Sequence, residues 1–309
     1  MGEFRSHDGV GRLAASSAGQ DRSEIFRAVL AQGVAALARQ HADLPTDCPI
    51  IISGMASSSI CWRELPYAPL PFAPDGSDMV WQDAGPLSAS GRSHRVVLLS
   101  GVRSEWEIMR GEEIQVLGLT RWSAALAMAN EAVLVLPGTH SKHIHVQGGR
   151  IIDFQTYMTG ELFDVLSRHS VLRHSVAAPI GEDAASTRLS GPVRPAFQEG
   201  VEAARARPLL ELLFRVRTRQ VLQARDAAEN RAFLSGLLLG AEMVGLIGRY
   251  PGRTPVVLCS GEILADLYEL AFRTLDAGSR LQIVPGAEVE RLSSLGQAVM
   301  LSRILVVNT

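Results

Sequence analysis

Four short apolar runs constrain the fold of this chain more than any other feature of its sequence. Each is rich in valine, isoleucine or leucine and ends at a glycine or just before one. They span Pro49–Gly54, Arg95–Gly101, Ala132–Gly138 and Thr254–Ser260. Runs of this length and composition are typical of strands that are buried in a sheet. Segments with helical spacing of apolar residues separate them, and this alternation predicts an α/β protein.

The rest of the chain divides into predicted helices, loops and one hairpin. A hairpin is predicted around Gln147-Gly148-Gly149, where two strand-like runs flank a turn sequence. Residues 62–92 and 175–195 are rich in proline, glycine and serine and predict loops, and the first of these can include a short strand. The second loop suggests a boundary between an N-terminal lobe, 1–185, and a C-terminal lobe, 186–309. Helices are predicted over 21–41, 111–130, 161–172, 196–224, 229–249, 262–275 and from about 288 onward.

Composition and charge exclude several classes of protein. Of the 309 residues, 47% are hydrophobic and 20% charged, as in packed globular domains. The formal net charge of −2 offers no basic surface for nucleic acid or for an anionic membrane. The three cysteines form no C-x-x-C pair, the first residues are polar, and the longest apolar stretch, 233–248, is too short to span a bilayer. We therefore expect a cytoplasmic protein with reduced thiols.

A turn between two predicted strands leads to Lys142, the only lysine among the 30 basic residues. The turn, Gly138–His140, offers backbone N–H groups and a hydroxyl, which together with an ammonium group suit a phosphate chain. A lysine in a chain that otherwise uses arginine suggests a position where a compact, flexible charge is required. An ordinary hairpin turn with polar residues is the alternative.

Three histidines in the same segment, His140, His143 and His145, raise the alternative of a metal-dependent hydrolase. Imidazoles ligate zinc, but on a strand His143 and His145 share one face while His140 lies in the turn. No nearby cysteine in the sequence completes a ligand set. Polar positions at a strand edge are therefore the simpler interpretation.

A second candidate site lies where the predicted helix 111–130 begins. Glu112 and Glu113 occupy its first turn, with Arg110 beside them. The helix dipole favours acidic residues at this end, which is a sufficient structural explanation. The functional interpretation is that one carboxylate acts as a general base. Successive helical positions point about 100° apart, so the two acids need not share a role.

Two further segments follow predicted strands. Ser57 and Ser58 follow the first strand and precede Trp62 and Arg63, a set that suits a polyhydroxylated ligand but that also makes an ordinary loop. Gly261 lies where the fourth run leads into a helix. A nucleotide can bind against such a turn, although it is also the commonest α/β connection. The chain contains no G-x-S-x-G sequence, so a serine hydrolase is not indicated.

Taken in order, six strings of this sequence resemble the 2-dehydro-3-deoxygalactonokinase family. The resemblance runs from about residue 45 to the C-terminus, and the strings around the acidic pair, the turn and Asp153 are the most specific. The strings are SGMASSSICWRELPY, MRGEEIQVLG, LPGTHSKHIHV, IIDFQTYMTGELF, FLSGLLLGAE and the SGEILADLY region.

The resemblance implies a fold, a reaction and cofactors. The implied fold is the two-lobed, actin-like sugar-kinase fold of the ribonuclease H type. The implied reaction transfers the γ-phosphate of ATP, with Mg²⁺, to the 6-hydroxyl of 2-dehydro-3-deoxy-D-galactonate, a step of galactonate breakdown. The sugar acid, the base and the phosphate hairpin would belong to the N-terminal lobe and the adenosine side to the C-terminal lobe. A homodimer is compatible with the resemblance.

The resemblance also implies roles for individual residues. Glu112 is the implied general base, and Glu113 is the alternative. The other implied roles are phosphate binding by Gly138, Thr139, His140 and Lys142, nucleotide contact by Gly261, sugar-acid binding by Ser57, Ser58, Trp62, Arg63, Arg103 and Arg110, and Mg²⁺ or substrate binding by Asp153.

One departure from the family pattern motivates a second functional hypothesis. Family members begin with a β-hairpin that carries an Asp-Trp-Gly-Thr-like phosphate motif, whereas this sequence begins MGEFRSHDGVGRLA. We expect the first hairpin of the N-terminal lobe to be lacking and the activity to be reduced. The alternative to a kinase is a protein of the same fold that binds a sugar acid and transfers no phosphate.

Overall fold

The chain divides into two compact units. A computed structural model describes residues 4, 21–41, 48–59, 61–122, 130–176 and 189–307. Unit 1 comprises residues 1–128, 149–152 and 291–309, and unit 2 comprises residues 129–148 and 153–290. This division differs from the predicted lobes, 1–185 and 186–309. Strand pairing groups residues 131–147 with later strands, and most of the last helix packs with the first unit.

Unit 1 contains two three-stranded sheets. In the first, β1 (Ile50–Ile52) runs parallel to β4 (Arg92–Leu99), which pairs antiparallel with β3 (Trp81–Ala89). The second has the order β2 (Ala68–Pro69), β5 (Val102–Arg103) and β6 (Ile108–Met109). Helix α1 (Arg22–Gln40) contributes Phe26 to an apolar core that includes Val96 and Leu98 of β4.

Two glycines allow α2 (Glu112–Trp122) to pack closely against α10 (Gly286–Val307) in unit 1. A Cβ atom on Gly118 would lie 1.9 Å from the carbonyl oxygen of Leu292. A Cβ atom on Gly296 would lie 2.0 Å from the carbonyl oxygen of Ile114. Because neither position has room for a side chain, the two backbones are in direct contact. This contact fixes the helix whose first turn carries Glu112 and Glu113.

Unit 2 is built on a five-stranded sheet, to which unit 1 contributes the first three residues of β9. The strands are β7 (Glu131–Leu136), β8 (Ser141–Gln147), β9 (Arg150–Tyr157), β10 (Val256–Cys259) and β11 (Leu281–Val284). Their order in the sheet is β11-β10-β7-β8-β9. Strands β7, β10 and β11 run parallel, and β8 is antiparallel to β7. All four residues of β10 are buried, which explains its continuous apolar sequence.

The helices of unit 2 include a long apolar one, α8, which spans Ala227–Arg249. By length and composition α8 could cross a membrane, but 61% of its most apolar window is buried within the protein, as in a core helix. A Cβ on Gly236 of α8 would lie 2.1 Å from the carbonyl oxygen of Phe197, so α8 and α5 are in backbone contact. The bounds are α3 (Thr159–Arg168), α4 (Arg173–Val176), α5 (Val193–Ala206), α6 (Leu209–Leu212), α7 (Arg215–Gln223), α8 (Ala227–Arg249) and α9 (Glu262–Thr274).

The α/β class and the four apolar strands are confirmed, but one helix prediction is wrong. Residues 62–92 contain the short strand that the prediction allows, β2, and also the nine-residue strand β3. The single helix predicted over 196–224 is divided into α5, α6 and α7. Pro208, which cannot donate a helical hydrogen bond, stands at the first of the two breaks. The second half of the helix predicted over 111–130 and most of the loop 175–195 lie outside the described residues.

Candidate active site

Arg110 lies in the turn before α2, and residues of the earlier segment 57–67 hold its guanidinium group in place. This group donates to Ser57 Oγ, to Tyr67 OH at 3.4 Å and to the Leu65 carbonyl oxygen at 3.5 Å. Its Cζ lies 4.1 Å from the centroid of the Tyr67 ring. The backbone N–H of Arg110 donates to Glu112 Oε2 at 3.0 Å. A half-buried, oriented guanidinium group is suited to bidentate binding of a carboxylate.

The two acids of α2 have different surroundings. Glu113 is fully buried, and both of its carboxylate oxygens lie 2.8 Å from the backbone nitrogen of Gly111. Burial, together with the negative charge of Glu112, raises the pKa of Glu113 to about 8. Glu112 is only half-buried. Because a general base must reach the proton it accepts, Glu112 is the accessible member of the pair.

The two predicted serines follow Gly54, whose φ of 86° turns the chain sharply after β1. Ser57 Oγ is buried, donates to the Leu99 carbonyl oxygen at 2.6 Å and accepts from Arg110. Ser58 Oγ is also buried, and it has no hydrogen-bond partner among the described residues. A buried hydroxyl without a partner is costly in the free protein, so it is a candidate contact for a bound polar ligand.

The serine segment and the acidic turn are neighbours in unit 1. A Cβ atom built on Gly111 would lie 3.6 Å from the Cα of Gly54. The structure therefore brings Ser57, Arg110 and Glu112 together from two separate segments. A hydroxyl, a guanidinium group and an accessible carboxylate can bind a hydroxylated acid and accept a proton from it.

Three other predicted substrate residues have different contacts. Trp62 is buried in the core of unit 1, where its ring stacks on Phe26 with 5.9 Å between centroids. Arg63 donates to the carbonyl oxygen of Asp83 at 3.1 Å. Arg103 is exposed on β5. Trp62 therefore packs as a core residue and does not line an open pocket.

In unit 2, the turn between β7 and β8 is exposed and is supported by the start of α3. Gly138, Thr139 and His140 are exposed. A Cβ atom on Gly160 would lie 2.5 Å from the carbonyl oxygen of Gly138. The backbone N–H of Glu161 donates to the carbonyl oxygen of Thr139 at 3.0 Å. The turn is thus held from one side while its other side stays open.

Lys142 lies on β8 and not on the exposed turn. It is only 5% exposed, and its Nζ donates to Thr156 Oγ1 at 2.8 Å. Because side chains alternate along a strand, Lys142 points to the face opposite Ser141 and His143. The predicted contact between its ammonium group and a phosphate stays a prediction.

The three histidines of this segment do not converge on one site. Each ring contacts a different carboxylate, and the pairs are His140 with Glu161, His143 with Glu242 and His145 with Glu131. The described residues contain no group of three or more His, Cys, Asp or Glu side chains that could hold a metal ion. The histidine metal centre of the hydrolase alternative is therefore wrong.

Asp153, the predicted Mg²⁺ ligand, is engaged by other protein groups. Its carboxylate accepts from Arg249 at 2.8 Å, from the Gln155 side chain at 2.8 Å and from the backbone N–H of Phe154 at 2.9 Å. A carboxylate held in this way does not fit a metal site. In kinases the binding of Mg²⁺ depends strongly on the substrate phosphates. We therefore assign no catalytic step to an ion that the protein itself holds.

A cavity of about 210 Å³ opens beside the turn of unit 2, with Gly138 and Gly160 in its wall. Most of its wall is apolar and comes from α8 and from the first two turns of α9. Arg231 also lines it, with its Cζ 4.8 Å from the centroid of the Phe163 ring, and burial lowers the pKa of this guanidinium group. Gly261 is exposed directly before α9. Apolar walls with one cation beside a phosphate-suited turn can accept part of a nucleotide.

Sequence reasoning assigned no role to Glu242, the last residue of the string FLSGLLLGAE in α8. A charged residue inside an apolar helix was the available signal, because buried charges need partners. Glu242 is 2% exposed and accepts from the side chains of Ser141, His143, Thr159 and Tyr268. Burial raises the pKa of this carboxyl, but hydrogen bonds from three of these groups outweigh it and hold the pKa below its usual value.

Most of this chain is similar to known proteins. Residues 1–292 match the family model of 2-keto-3-deoxy-galactonokinase. A Rhizobium meliloti protein assigned as a 2-dehydro-3-deoxygalactonokinase is 35% identical over 264 residues, which cover 82% of this chain and 80% of that protein. The 2-dehydro-3-deoxygalactonokinase of Escherichia coli is 31% identical over 236 residues, 74% of this chain and 71% of its own length. A crystal structure assigned to the same enzyme, from Sinorhizobium meliloti, has a TM-score of 0.74 and 30% identity, and the match covers 97% of this chain and 91% of that one. The chain therefore belongs to the 2-keto-3-deoxy-galactonokinase family.

Proposed function

We propose that this family member transfers the γ-phosphate of ATP to the 6-hydroxyl of 2-dehydro-3-deoxy-D-galactonate in the cytoplasm, on an actin-like sugar-kinase fold. Family membership supports a sugar-acid kinase, and the names of the relatives support the substrate. The observation that carries the proposal is the guanidinium group of Arg110, which is held on Tyr67 and Ser57 beside the accessible Glu112.

Unit 1 would bind the sugar acid. Arg110 has the geometry to receive the substrate carboxylate through two parallel hydrogen bonds. The sugar would supply a hydrogen-bond partner to Ser58 Oγ, which has none among the described residues. Glu112 would accept the proton of the hydroxyl that attacks the γ-phosphorus. The O–H bond breaks as the O–P bond forms, and ADP leaves with the electron pair of the old P–O bond.

Unit 2 would bind the nucleotide. The exposed backbone of Gly138–His140 and the hydroxyl of Thr139 suit the phosphate chain, and Arg231 adds a positive charge in the wall of the adjoining cavity. Lys142 is the further predicted cation of this unit. Mg²⁺ would enter bound to the nucleotide phosphates, and we assign it no protein ligand. The predicted homodimer stays a prediction.

A coupled assay of ADP release by the purified chain tests this function. We expect ADP release that depends on 2-dehydro-3-deoxy-D-galactonate, with weaker use of its gluconate-derived epimer, and a product whose phosphorus couples to the protons on carbon 6 in NMR spectra. Phosphate at another position, or ADP release that is independent of the sugar acid, would contradict the proposal. Sugar-acid binding by calorimetry without any ADP release would instead support the non-catalytic alternative.

Lys142→Met tests the predicted role of the lysine within this function. If the ammonium group neutralises phosphate charge, KM for ATP rises while KM for the sugar acid stays unchanged. Thr156→Val is the matched control, because it removes the hydroxyl that accepts from Lys142 and leaves the charge in place. Equal changes in KM for both substrates of the methionine variant would show a structural role only.

A further inference from the structure

The carboxylate of Glu242 joins three segments that surround the exposed turn Gly138–His140. Its Oε1 accepts from Ser141 Oγ at 2.7 Å, from His143 Nε2 at 2.8 Å and from Tyr268 OH at 2.9 Å. Its Oε2 accepts from Thr159 Oγ1. These donors belong to β8, α3 and α9, whereas the carboxylate itself belongs to α8.

Each of these three segments adjoins the turn or the cavity beside it. Ser141 is the residue that directly follows the turn. Thr159 precedes Gly160, whose missing side chain lets α3 approach the carbonyl oxygen of Gly138. Tyr268 lines the cavity that Gly138 also lines. One carboxylate therefore links the strand that follows the turn to the helix that packs against it and to a wall of the adjoining cavity.

Neither direct chemistry nor stability explains this arrangement well. Glu242 is 2% exposed and protein side chains already donate to both of its carboxylate oxygens, so it is not available to a nucleotide or a sugar acid. A buried ionised group costs desolvation energy that its hydrogen bonds only partly offset, and apolar packing at such a position is often as stable. A requirement for fixed geometry accounts for a buried anion with several donors better than stability does.

We propose that Glu242 is a positioning residue for phosphoryl transfer, which holds the backbone of Gly138–His140 in the orientation that binds the nucleotide phosphates. The proposal rests on the proposed function and names the group that preorganises its nucleotide site. Phosphoryl transfer is catalysed mainly by positioning and electrostatic stabilisation, so displacement of phosphate ligands by a fraction of an ångström is expressed in the rate.

Two conservative variants test the proposal without removal of the buried charge. Thr159→Val deletes the hydroxyl that donates to Oε2 at nearly constant volume, and Ser141→Ala deletes one that donates to Oε1. We expect each to raise KM for ATP roughly 10-fold to 100-fold and to leave KM for the sugar acid nearly unchanged. Thr159→Ser retains the hydroxyl and should restore the KM for ATP. Glu242→Gln should show the same selective loss if it folds.

Ser175→Ala is the matched control for Ser141→Ala. Ser175 is also fully buried, and its hydroxyl donates to Gln220 at 2.8 Å, between α4 and α7. We expect both alanine variants to lower the melting temperature similarly, while only Ser141→Ala changes KM for ATP. If Ser175→Ala raised KM for ATP to the same extent, or if neither Ser141→Ala nor Thr159→Val raised it, the proposal would be overturned.

Amide hydrogen exchange of the free protein separates this proposal from the proposed function. We expect the amides of Gly138–His140 to exchange faster in Thr159→Val and Ser141→Ala than in the wild-type protein or Ser175→Ala. Unchanged exchange in both would overturn the positioning role, whatever the substrate proves to be. If the wild-type protein transferred no phosphate, the proposed function would fail. The dissociation constant for ATP from calorimetric titration would then replace KM, and we expect the variants to rank in the same order by this constant.

Discussion

Glu113 in unit 1 and Glu242 in unit 2 are both buried glutamates, yet their pKa values are shifted in opposite directions. Burial and the charge of Glu112 raise the pKa of Glu113 to about 8, against the two hydrogen bonds from Gly111. Burial also opposes the ionised form of Glu242, but its side-chain donors more than offset that effect. Because burial acts in the same direction on both carboxyls, the neighbouring groups account for the opposite directions of the two pKa shifts.

The comparison contrasts a carboxyl whose pKa is raised, which favours its neutral form, with one whose pKa is lowered, which favours its ionised form. In unit 1 the acidic pair is adjacent to Arg110, whose guanidinium group is held by Ser57 and Tyr67. In unit 2 the carboxylate is ionised and fully hydrogen-bonded beneath an open turn. The first arrangement suits proton transfer to and from a ligand, and the second suits the maintenance of a fixed shape.

Glu112→Gln is expected to produce the largest change. Removal of the accessible general base should lower kcat by about 10²-fold to 10⁴-fold, while KM for ATP changes little. The measurement is steady-state ADP release with both substrates varied. Glu105→Gln, at an exposed position in the same unit, is the control and should retain wild-type kcat. A glutamine variant with unchanged kcat would show that Glu112 is not the base.

Glu113→Gln sharpens the comparison through the pH dependence of stability. The pKa of Glu113 is about 8 in the folded protein and near 4.5 when unfolded, so between these values the folded state binds a proton that the unfolded state does not. The free energy of unfolding should therefore fall as pH rises, by up to about 1.4 kcal/mol per pH unit, and the glutamine variant should remove this slope. Urea denaturation at several pH values between about 5 and 8 measures it.

The pKa of Glu242 is shifted in the opposite direction, so Glu242→Gln provides the contrast for that experiment. Its pKa is lowered in the folded protein, so the stability that it contributes is present above the pKa of the unfolded state. This contribution is lost as pH falls through the folded-state value. Glu242→Gln should thus flatten the acid side of the stability profile only. A flattened alkaline side in this variant would contradict the assigned protonation states.

Arg110→Lys is expected to weaken binding of the sugar acid, with a smaller effect on turnover than Glu112→Gln. Lysine retains the charge but cannot form two parallel hydrogen bonds or stack flat on Tyr67, so KM for the sugar acid should rise roughly 10-fold to 100-fold. Arg63→Lys and Arg103→Lys test the other two predicted arginines and should change this KM much less. A larger effect at either of them would move the carboxylate site away from Arg110.

Ser58→Ala should have the smallest effect. It is diagnostic because KM for the sugar acid should rise although the protein loses no stability. Its buried hydroxyl has no partner among the described residues, so its removal should leave the unfolding free energy unchanged or slightly increased. KM for the sugar acid should rise by a factor of about 5, the loss of one hydrogen bond. Ser57→Ala is the comparison, since its hydroxyl is hydrogen-bonded in the free protein and its loss should cost stability. Stability loss without a change in KM at Ser58 would exclude it from the sugar site.

Local patterns in the sequence predict the apolar strands and most helices, because burial imposes a periodicity that is visible over a few residues. The length of strand β3 is underestimated from the sequence because Gly85 and Pro86 interrupt its alternation. The acidic turn and the exposed turn were found because a glycine or a polar cluster marks each of them. The contacts that organise them were not visible, since Ser141 and Glu242 are 101 positions apart.

The placement of Lys142 and Trp62 shows a second limit of sequence reasoning. Residue type indicates that an ammonium group or an indole is present, but the direction of a side chain depends on strand phase and on the helix that covers it. Lys142 is buried on the face of its strand opposite Ser141 and His143, and Trp62 stacks on Phe26 of α1. Strand phase and tertiary packing together determine these directions.

The glycine contacts between α2 and α10 make the acidic turn dependent on the far end of the chain. Gly118 and Gly296 leave no room for even a methyl group, so the position of α2 follows that of α10. Shortening the protein within α10, or a bulky fusion that bends this helix, would be expected to inactivate the enzyme from a distance. Expression vectors for this protein should therefore carry their affinity tags on a cleavable linker beyond this helix.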